Sequence, residues 1–256
     1  MIFRKSLLNK RKQREEDKNM KYAITVNEVK DSKNGLRGFA SISLGDSFKI
    51  TNVAIMENSG TGELFVSMPR YKTNEKDENQ QDVYQDICNP ITKEFREQLC
   101  GDILKAFEER NQIGKKAEST QKAEMPEFSV RVVPYTQEGS NVIGFARIYF
   151  DNCFVVNNVT VIQGKENAFV SMPSYKTKEV DENNKPIYRD ICYPVTKEFR
   201  EKLYGAILEM HQLEKEKRLK EGRPLNRRER MQKEMQEQDE KEKKEQKEPK
   251  SKKSGR

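Results

Sequence analysis

The sequence predicts an α+β protein built from two tandem copies of one small unit, and three observations carry that prediction. The chain repeats itself at a fixed offset. Each copy begins with segments that alternate apolar and polar residues, the signature of half-buried strands. Each copy ends in a stretch whose apolar residues recur at helical spacing.

The repeat is close. Tyr22–Leu44 aligns with Phe128–Phe150 at an offset of 106 residues, and a two-residue gap shifts the later offset to 104. From Phe65 and Phe169 onward, 27 of 40 aligned positions are identical. Phe65-Val66-Ser67-Met68-Pro69 returns as Phe169-Val170-Ser171-Met172-Pro173, and Thr92-Lys93-Glu94-Phe95-Arg96-Glu97 as Thr196-Lys197-Glu198-Phe199-Arg200-Glu201. A tandem duplication is the direct reading.

Along each copy five strands are expected. The first alternates Tyr22, Ile24 and Val26, and the second places Ala40, Ile42 and Leu44 on one side. The third changes phase: Phe48 and Ile50 share one face, whereas Val53 and Ile55 follow the other parity. Phe154, Val156, Val159 and Val161 repeat that change, so a β-bulge or sharp bend is predicted around Asn52 and Asn158. A fourth strand, Leu64–Met68, meets Pro69, which stops it or confines it to an edge. A polar turn then leads to a fifth strand, Val83–Ile87. The helix follows Pro90, with Thr92 as N-cap and Glu94 in the first turn. Its stripe is Phe95, Leu99, Ile103 and Phe107, matched in the second copy by Phe199, Leu203, Ile207 and Met210. Both stripes read as sheet-covering core rather than as a ligand box.

Composition divides the chain further. Charged residues make up 36% and hydrophobic residues 34%, too polar for one well-buried domain of 256 residues. The formal charge of +7 is unevenly placed: residues 1–19 are net +4, residues 211–256 net +6, and the middle net −3. The expected organisation is a basic N-terminal extension (1–19), domain one (20–110), a linker (111–126), domain two (127–213) and a charged tail (214–256) that reads as an exposed helix or as disorder. The absence of a secretory-type leader and of any membrane-length apolar run leads to the expectation of a cytoplasmic protein without a membrane partner. Cys88, Cys100, Cys153 and Cys192 form no CxxC pair and read as reduced, packed thiols.

One arrangement resembles a known family. In each copy a strand reading FV-x-MP is followed by a Lys, a variable turn, an aromatic-x-Asp-Ile segment, a Pro and an amphipathic helix with an early Arg. These residues are Phe65–Pro69, Lys72, Tyr84-x-Asp86-Ile87, Pro90 and Arg96, then Phe169–Pro173, Lys176, Tyr188-Arg189-Asp190-Ile191, Pro194 and Arg200. The pattern resembles the SpoVG (stage V sporulation protein G, septation regulator) family over about 85 residues of each copy. The resemblance implies a mostly antiparallel sheet of five strands with a C-terminal helix, dimerisation, and a regulator of DNA or RNA without catalytic activity. It also implies that the two copies form an intrachain pseudo-dimer, since fusing two copies makes their pairing intramolecular at raised effective concentration. Association of further chains is left open. The family's basic dipeptide after Met-Pro is reduced here to one Lys, with Tyr71 and Tyr175 in the first place, and Gln85 stands where the second copy has Arg189.

Candidate nucleic-acid contacts follow from chemistry: cations reach phosphates and aromatic rings stack on bases. Tyr71-Lys72 and Tyr175-Lys176 fit, and Arg189, Arg96, Arg200, Lys93 and Lys197 extend the set across the helix start. The competing reading makes these solvated charges beside locally packed tyrosines. The basic run Lys10-Arg11-Lys12 with Arg14 is a second source of attraction for polyanions. With one histidine, His211, and no ligand spacing among the cysteines, no metal or cofactor is expected. Asp86 and Asp190 read as turn or capping groups. No nucleophile–His pair, P-loop, GxGxxG or HExxH is present, so an enzyme is not expected. The alternative to a DNA/RNA-binding regulator is a protein-interaction adaptor on the same fold, favoured by the net negative middle.

Overall fold

A computed structural model describes residues 20–30, 32, 34–109 and 125–223. The expected N-terminal extension, most of the linker and most of the charged tail lie outside these residues. The first copy contains β1 (Tyr22–Glu28), β2 (Leu36–Leu44), β3 (Phe48–Glu57), β4 (Leu64–Ser67), β5 (Arg70–Lys76), β6 (Asp82–Asp86), β7 (Cys88–Pro90) and α1 (Lys93–Glu108). The second repeats them as β8 (Phe128–Pro134), β9 (Val142–Phe150), β10 (Phe154–Gln163), β11 (Ala168–Ser171), β12 (Ser174–Val180), β13 (Pro186–Asp190), β14 (Cys192–Pro194) and α2 (Lys197–Lys220).

Each copy forms an antiparallel sheet, β1-β2-β3 and β8-β9-β10, with β4 and β11 added on the far edge of the third strand. The phase change in the third strand is a bulge. Asn52 and Asn158 take left-handed backbone angles (φ 60° and 58°), which asparagine tolerates better than most residues. The β2–β3 and β9–β10 registers shift at the same places.

The bulge splits the outer edge of the third strand between two partners. Beyond it, Ala54–Glu57 pairs with β4 of the same copy. Before it, Phe48–Ile50 pairs with β14 of the other copy, and Phe154–Val156 reciprocally pairs with β7. The exchanged strands are locked at both ends by backbone bonds: Thr51 N–H to Ile191 O and Asn157 N–H to Ile87 O, both 2.7 Å, then Val195 N–H to Ser47 O and Ile91 N–H to Cys153 O, both 2.8 Å. Each sheet therefore has five strands, one of them contributed by its twin, and the halves form an intrachain pseudo-dimer.

The helices close one face of each sheet. Thr92 and Thr196 cap them, their hydroxyls accepting from Phe95 N–H and Phe199 N–H at 3.3 and 3.2 Å. Phe95, Leu99 and Ile103, and Phe199, Leu203 and Ile207, are buried in one continuous core that spans both copies. Phe199 meets Phe48 of the other copy at a ring separation of 6.4 Å, and Phe95 meets Phe154 at the same separation. Phe48 also lies 4.8 Å from Phe150.

Three expectations are corrected. The polar turn after Pro69 is itself a strand, β5, paired with β6 in a hairpin. It has no buried face, so the alternation that marks a strand is missing from its sequence. The strand expected at Val83–Ile87 forms as β6 but pairs with β5 outside the main sheet; the fifth strand of each sheet is β7 or β14, three residues too short to show a period. Finally, the fourth position of the second helical stripe is His211 rather than Met210. His211 is buried and its Nε2 lies 2.9 Å from Ile143 O, where Phe107 stands in the first copy.

Candidate nucleic-acid interface

The two hairpins carry most of the sequence-predicted site. In the first, Tyr71 stands opposite Gln85 and Lys72 opposite Tyr84; in the second, Tyr175 stands opposite Arg189 and Lys176 opposite Tyr188. Asp77 and Asp181 make the tips: each carboxylate accepts two backbone N–H bonds of 2.8–2.9 Å. Thr73 and Thr177 tie the arms, donating to Val83 O and Ile187 O at 3.0 Å. These hairpins are held by local polar bonds and present their side chains to solvent.

Their cations are largely engaged. Lys72 Nζ lies 2.6 Å from Asp82 Oδ2, and Lys76 reaches the same carboxylate. Hydrogen bonds from both lysines hold the Asp82 carboxyl below its ordinary range. Arg189 pairs with Glu179 at 2.8 Å. Tyr71 donates its hydroxyl proton to Gln85 at 2.7 Å, tying the ring to the hairpin. No described carboxylate lies within ion-pair distance of Lys176. Exposed pairs of this kind contribute about 1 kcal/mol or less, so a phosphate can compete for the lysine or arginine.

The helix-start cations do different work. Arg96 donates to Pro90 O at 3.0 Å and Arg200 to Pro194 O at 3.4 Å, each pinning the end of an exchanged strand to its helix. Lys93 and Lys197 face Glu97 and Glu201 one turn on, at 3.8 and 3.7 Å. No described hydrogen bond or ion pair joins this group to the hairpin cations. Asp190 sits nearby; burial raises its carboxyl above the ordinary value, and Arg200 opposes that shift.

The strand exchange brings residues together that lie far apart in sequence. A groove of about 420 Å³ runs over the first copy's sheet between Asn52, Phe65, Ser67, Arg70 and Tyr175, the last delivered by the other copy's hairpin. Phe65 is 46% exposed there. Arg70 covers the Tyr84 ring with its guanidinium 5.0 Å from the centroid. Sequence reasoning reached Tyr175 but passed over Phe65 and Arg70. Arg70 has Ser174 as its counterpart, so a search for repeated cations skips it. Phe65 belongs to the repeated strand, and only the burial of its neighbours shows that it points outward.

The thiols are quiet. Burial pushes the Cys88 thiol up to about 12 and raises Cys192 as well. Among the described residues, no group of three or more His, Cys, Asp or Glu stands together as a metal site, and no helix is long and apolar enough to cross a membrane.

Comparison with known proteins decides the family. The SpoVG sequence pattern matches residues 20–109 and again residues 125–213. The chain belongs to the SpoVG family. A relative from Treponema denticola, named as a SpoVG septation protein, is 38% identical over 74 residues, covering 29% of this chain and 73% of that protein. One from Caldicellulosiruptor saccharolyticus is 34% identical over 83 residues, 32% of this chain and 86% of its own length. One from Phytoplasma australiense is 41% identical over 73 residues, 28% of this chain and 70% of its own. Each SpoVG relative thus corresponds to a single copy, and this chain holds two. In SpoVG terms, the FV-x-MP strand is the edge strand β4 or β11, the variable turn is the hairpin tip, and the Pro before the helix ends the exchanged strand.

Proposed function

We propose that this chain is a SpoVG-type regulator that binds DNA or RNA without catalysing a reaction, through a surface to which both copies contribute. The observation that carries the reading is the reciprocal strand exchange, which sets one copy's hairpin tyrosine beside the other copy's exposed Phe65 and Arg70. Rings to stack on and cations to meet phosphate are the two elements of nucleic-acid contact. Lys176 and Arg189 on the same hairpin as Tyr175 extend the cationic edge.

The second reading is a protein-interaction adaptor. It draws support from Lys72 and Arg189 being neutralised by Asp82 and Glu179 and from the net charge of −3 over residues 20–210.

Fluorescence anisotropy with mixed-sequence DNA and RNA, at low and moderate salt, separates the two. The full chain, a fragment of residues 20–213 and a Lys72→Ala/Lys176→Ala/Arg189→Ala variant are compared. Loss of affinity of tenfold or more in the triple variant supports contact through the hairpins. Binding that persists there and disappears in the fragment assigns it to the basic ends. Absence of binding by every protein at low salt leaves the adaptor.

A further inference from the structure

The second copy's sheet has an open face that the hairpins do not account for. The helix α2 covers the side bearing Val132, Ala146, Ile148, Val159, Val161 and Val170, all buried. The opposite side carries Arg131, Arg147, Tyr149, Phe145, Thr160 and Phe169. Arg131 and Arg147 stand directly opposite each other on β8 and β9, and both are exposed. Like charges directly opposed across strands are unfavourable unless something neutralises them. Nothing described does so: β8, β9, β10 and β11 contain two arginines and no Asp or Glu. The nearest carboxylates along these strands, Glu127 and Asp151, lie four residues beyond the arginine row, and neither pairs with it.

Aromatic rings flank the cations. Arg131 lies over the Tyr149 ring at 5.3 Å, which leaves the edge of its guanidinium free to donate. On the other side of the arginine row, Phe145 is 42% exposed and is braced edge-on by Tyr135 at 5.2 Å. Phe169 is 50% exposed on β11. Successive rows on one face of a strand are about 7 Å apart. The face therefore presents ring, cation pair, ring in sequence along β9.

We infer that this open face is a binding platform for single-stranded nucleic acid, with Arg131 and Arg147 meeting consecutive phosphates and Tyr149 and Phe145 stacking on bases. The assignment rests on the nucleic-acid reading above and adds to the hairpins a second contact surface, on the second copy alone. The charge is complementary to a polyanion, and the rings stand on an open sheet face, where unpaired bases can reach them; paired bases inside a duplex cannot. The first copy offers an internal contrast. At the positions of Arg131, Arg147 and Tyr149 it has Thr25, Ser41 and Ser43, and its Arg37 is consumed by Glu57.

The test uses the full chain and a design already present in the molecule, in which the twin's residues replace those of the platform: Arg131→Thr/Arg147→Ser, and separately Tyr149→Ser. Anisotropy is measured with a 20-nucleotide labelled DNA single strand, the matching RNA, and the DNA duplex, each as a salt series. Expected is a loss of tenfold or more for both single strands at low salt in the double variant, with a salt slope lower by about 1.4, the value for two phosphate contacts on a single strand. Tyr149→Ser is expected to weaken the single strands severalfold without changing that slope. The duplex is expected to change less than threefold in each variant. Unchanged single-strand affinity in the double variant, with an unaltered thermal melt, overturns the platform. If the hairpin variant loses binding at the same time, the nucleic-acid reading stands and only this site falls; if no probe binds the parent chain, both fall.

Discussion

The two copies keep the same side chains at the joints of the strand exchange and different ones on the open faces of their sheets. Thr92 and Thr196 cap, Arg96 and Arg200 pin, Pro90 and Pro194 end the exchanged strands, and Asn52 and Asn158 turn the bulge. All of these serve the exchange, and all are the same residue twice. The open sheet faces have diverged instead, to Thr25, Ser41 and Ser43 on one side and Arg131, Arg147 and Tyr149 on the other. A fused pair is free to do this. In a dimer of identical chains a surface substitution appears on both faces at once, whereas here one face changes alone.

If the shared core makes the two copies one cooperative unit, damage to either must unfold both. Phe199 is fully buried and meets Phe48, Phe128 and Phe150, whereas Phe95 meets Tyr22 and Phe154. Phe199→Ala is expected to cost about 3–5 kcal/mol and Phe95→Ala the same or somewhat less. Urea unfolding followed by far-ultraviolet circular dichroism should give one transition for each variant. Two separated transitions would show that the copies are stable independently and would break the comparison at its root.

A smaller effect sharpens it. Gly38 and Gly144 are equivalent positions with unlike neighbours. A Cβ on Gly38 would meet Asn27 O and Phe107 Cε2, both at 2.7 Å. On Gly144 it would meet His211 Cδ2 at 2.8 Å, while the nearest backbone atom, Val133 O, is 3.5 Å away. Backbone cannot step aside as a side chain can. Gly38→Ala is expected to destabilise by about 1–3 kcal/mol, and Gly144→Ala by less. Equal losses in paired denaturation curves would mean that His211 is held as rigidly as the strand.

The parts of this architecture that were legible in the sequence are those with a buried face. The bulge showed as a parity switch between Ile50 and Val53, repeated at Val156 and Val159, because core-facing residues must change register together there. The helices showed because Phe95, Leu99 and Ile103 keep helical spacing. The first arm of the hairpin reads as a turn because it is not buried, and polar residues such as Lys72, Asn74 and Lys76 carry no period, whereas the second arm is the strand expected at Val83–Ile87. The exchanged strands Cys88–Pro90 and Cys192–Pro194 were invisible because their partners lie on the other copy, and three residues cannot announce a pairing. The same holds for the groove: nothing local to Tyr175 says that Phe65 stands beside it.

The smallest difference is a single hydrogen bond. Tyr22 donates to Asp102 at 2.6 Å across the junction of β1 and α1, and the second copy has Phe128 and Ala206 in the same places. Tyr22→Phe makes the first copy resemble the second at this point, leaving the half-exposed Asp102 to water. The expected loss is about 0.5–1.5 kcal/mol at neutral pH. Burial, and then the Asp102 carboxylate, raise the Tyr22 hydroxyl well above its usual 10.0. A group whose folded-state value is raised favours the folded state at every pH below its unfolded value, and that contribution fades as pH climbs past it. The parent chain should therefore lose stability above about pH 10 more steeply than Tyr22→Phe, so that the two melting curves converge. Parallel curves from pH 7 to 11 would show that the hydrogen bond is not formed in solution, and the two junctions would then be alike in all but composition.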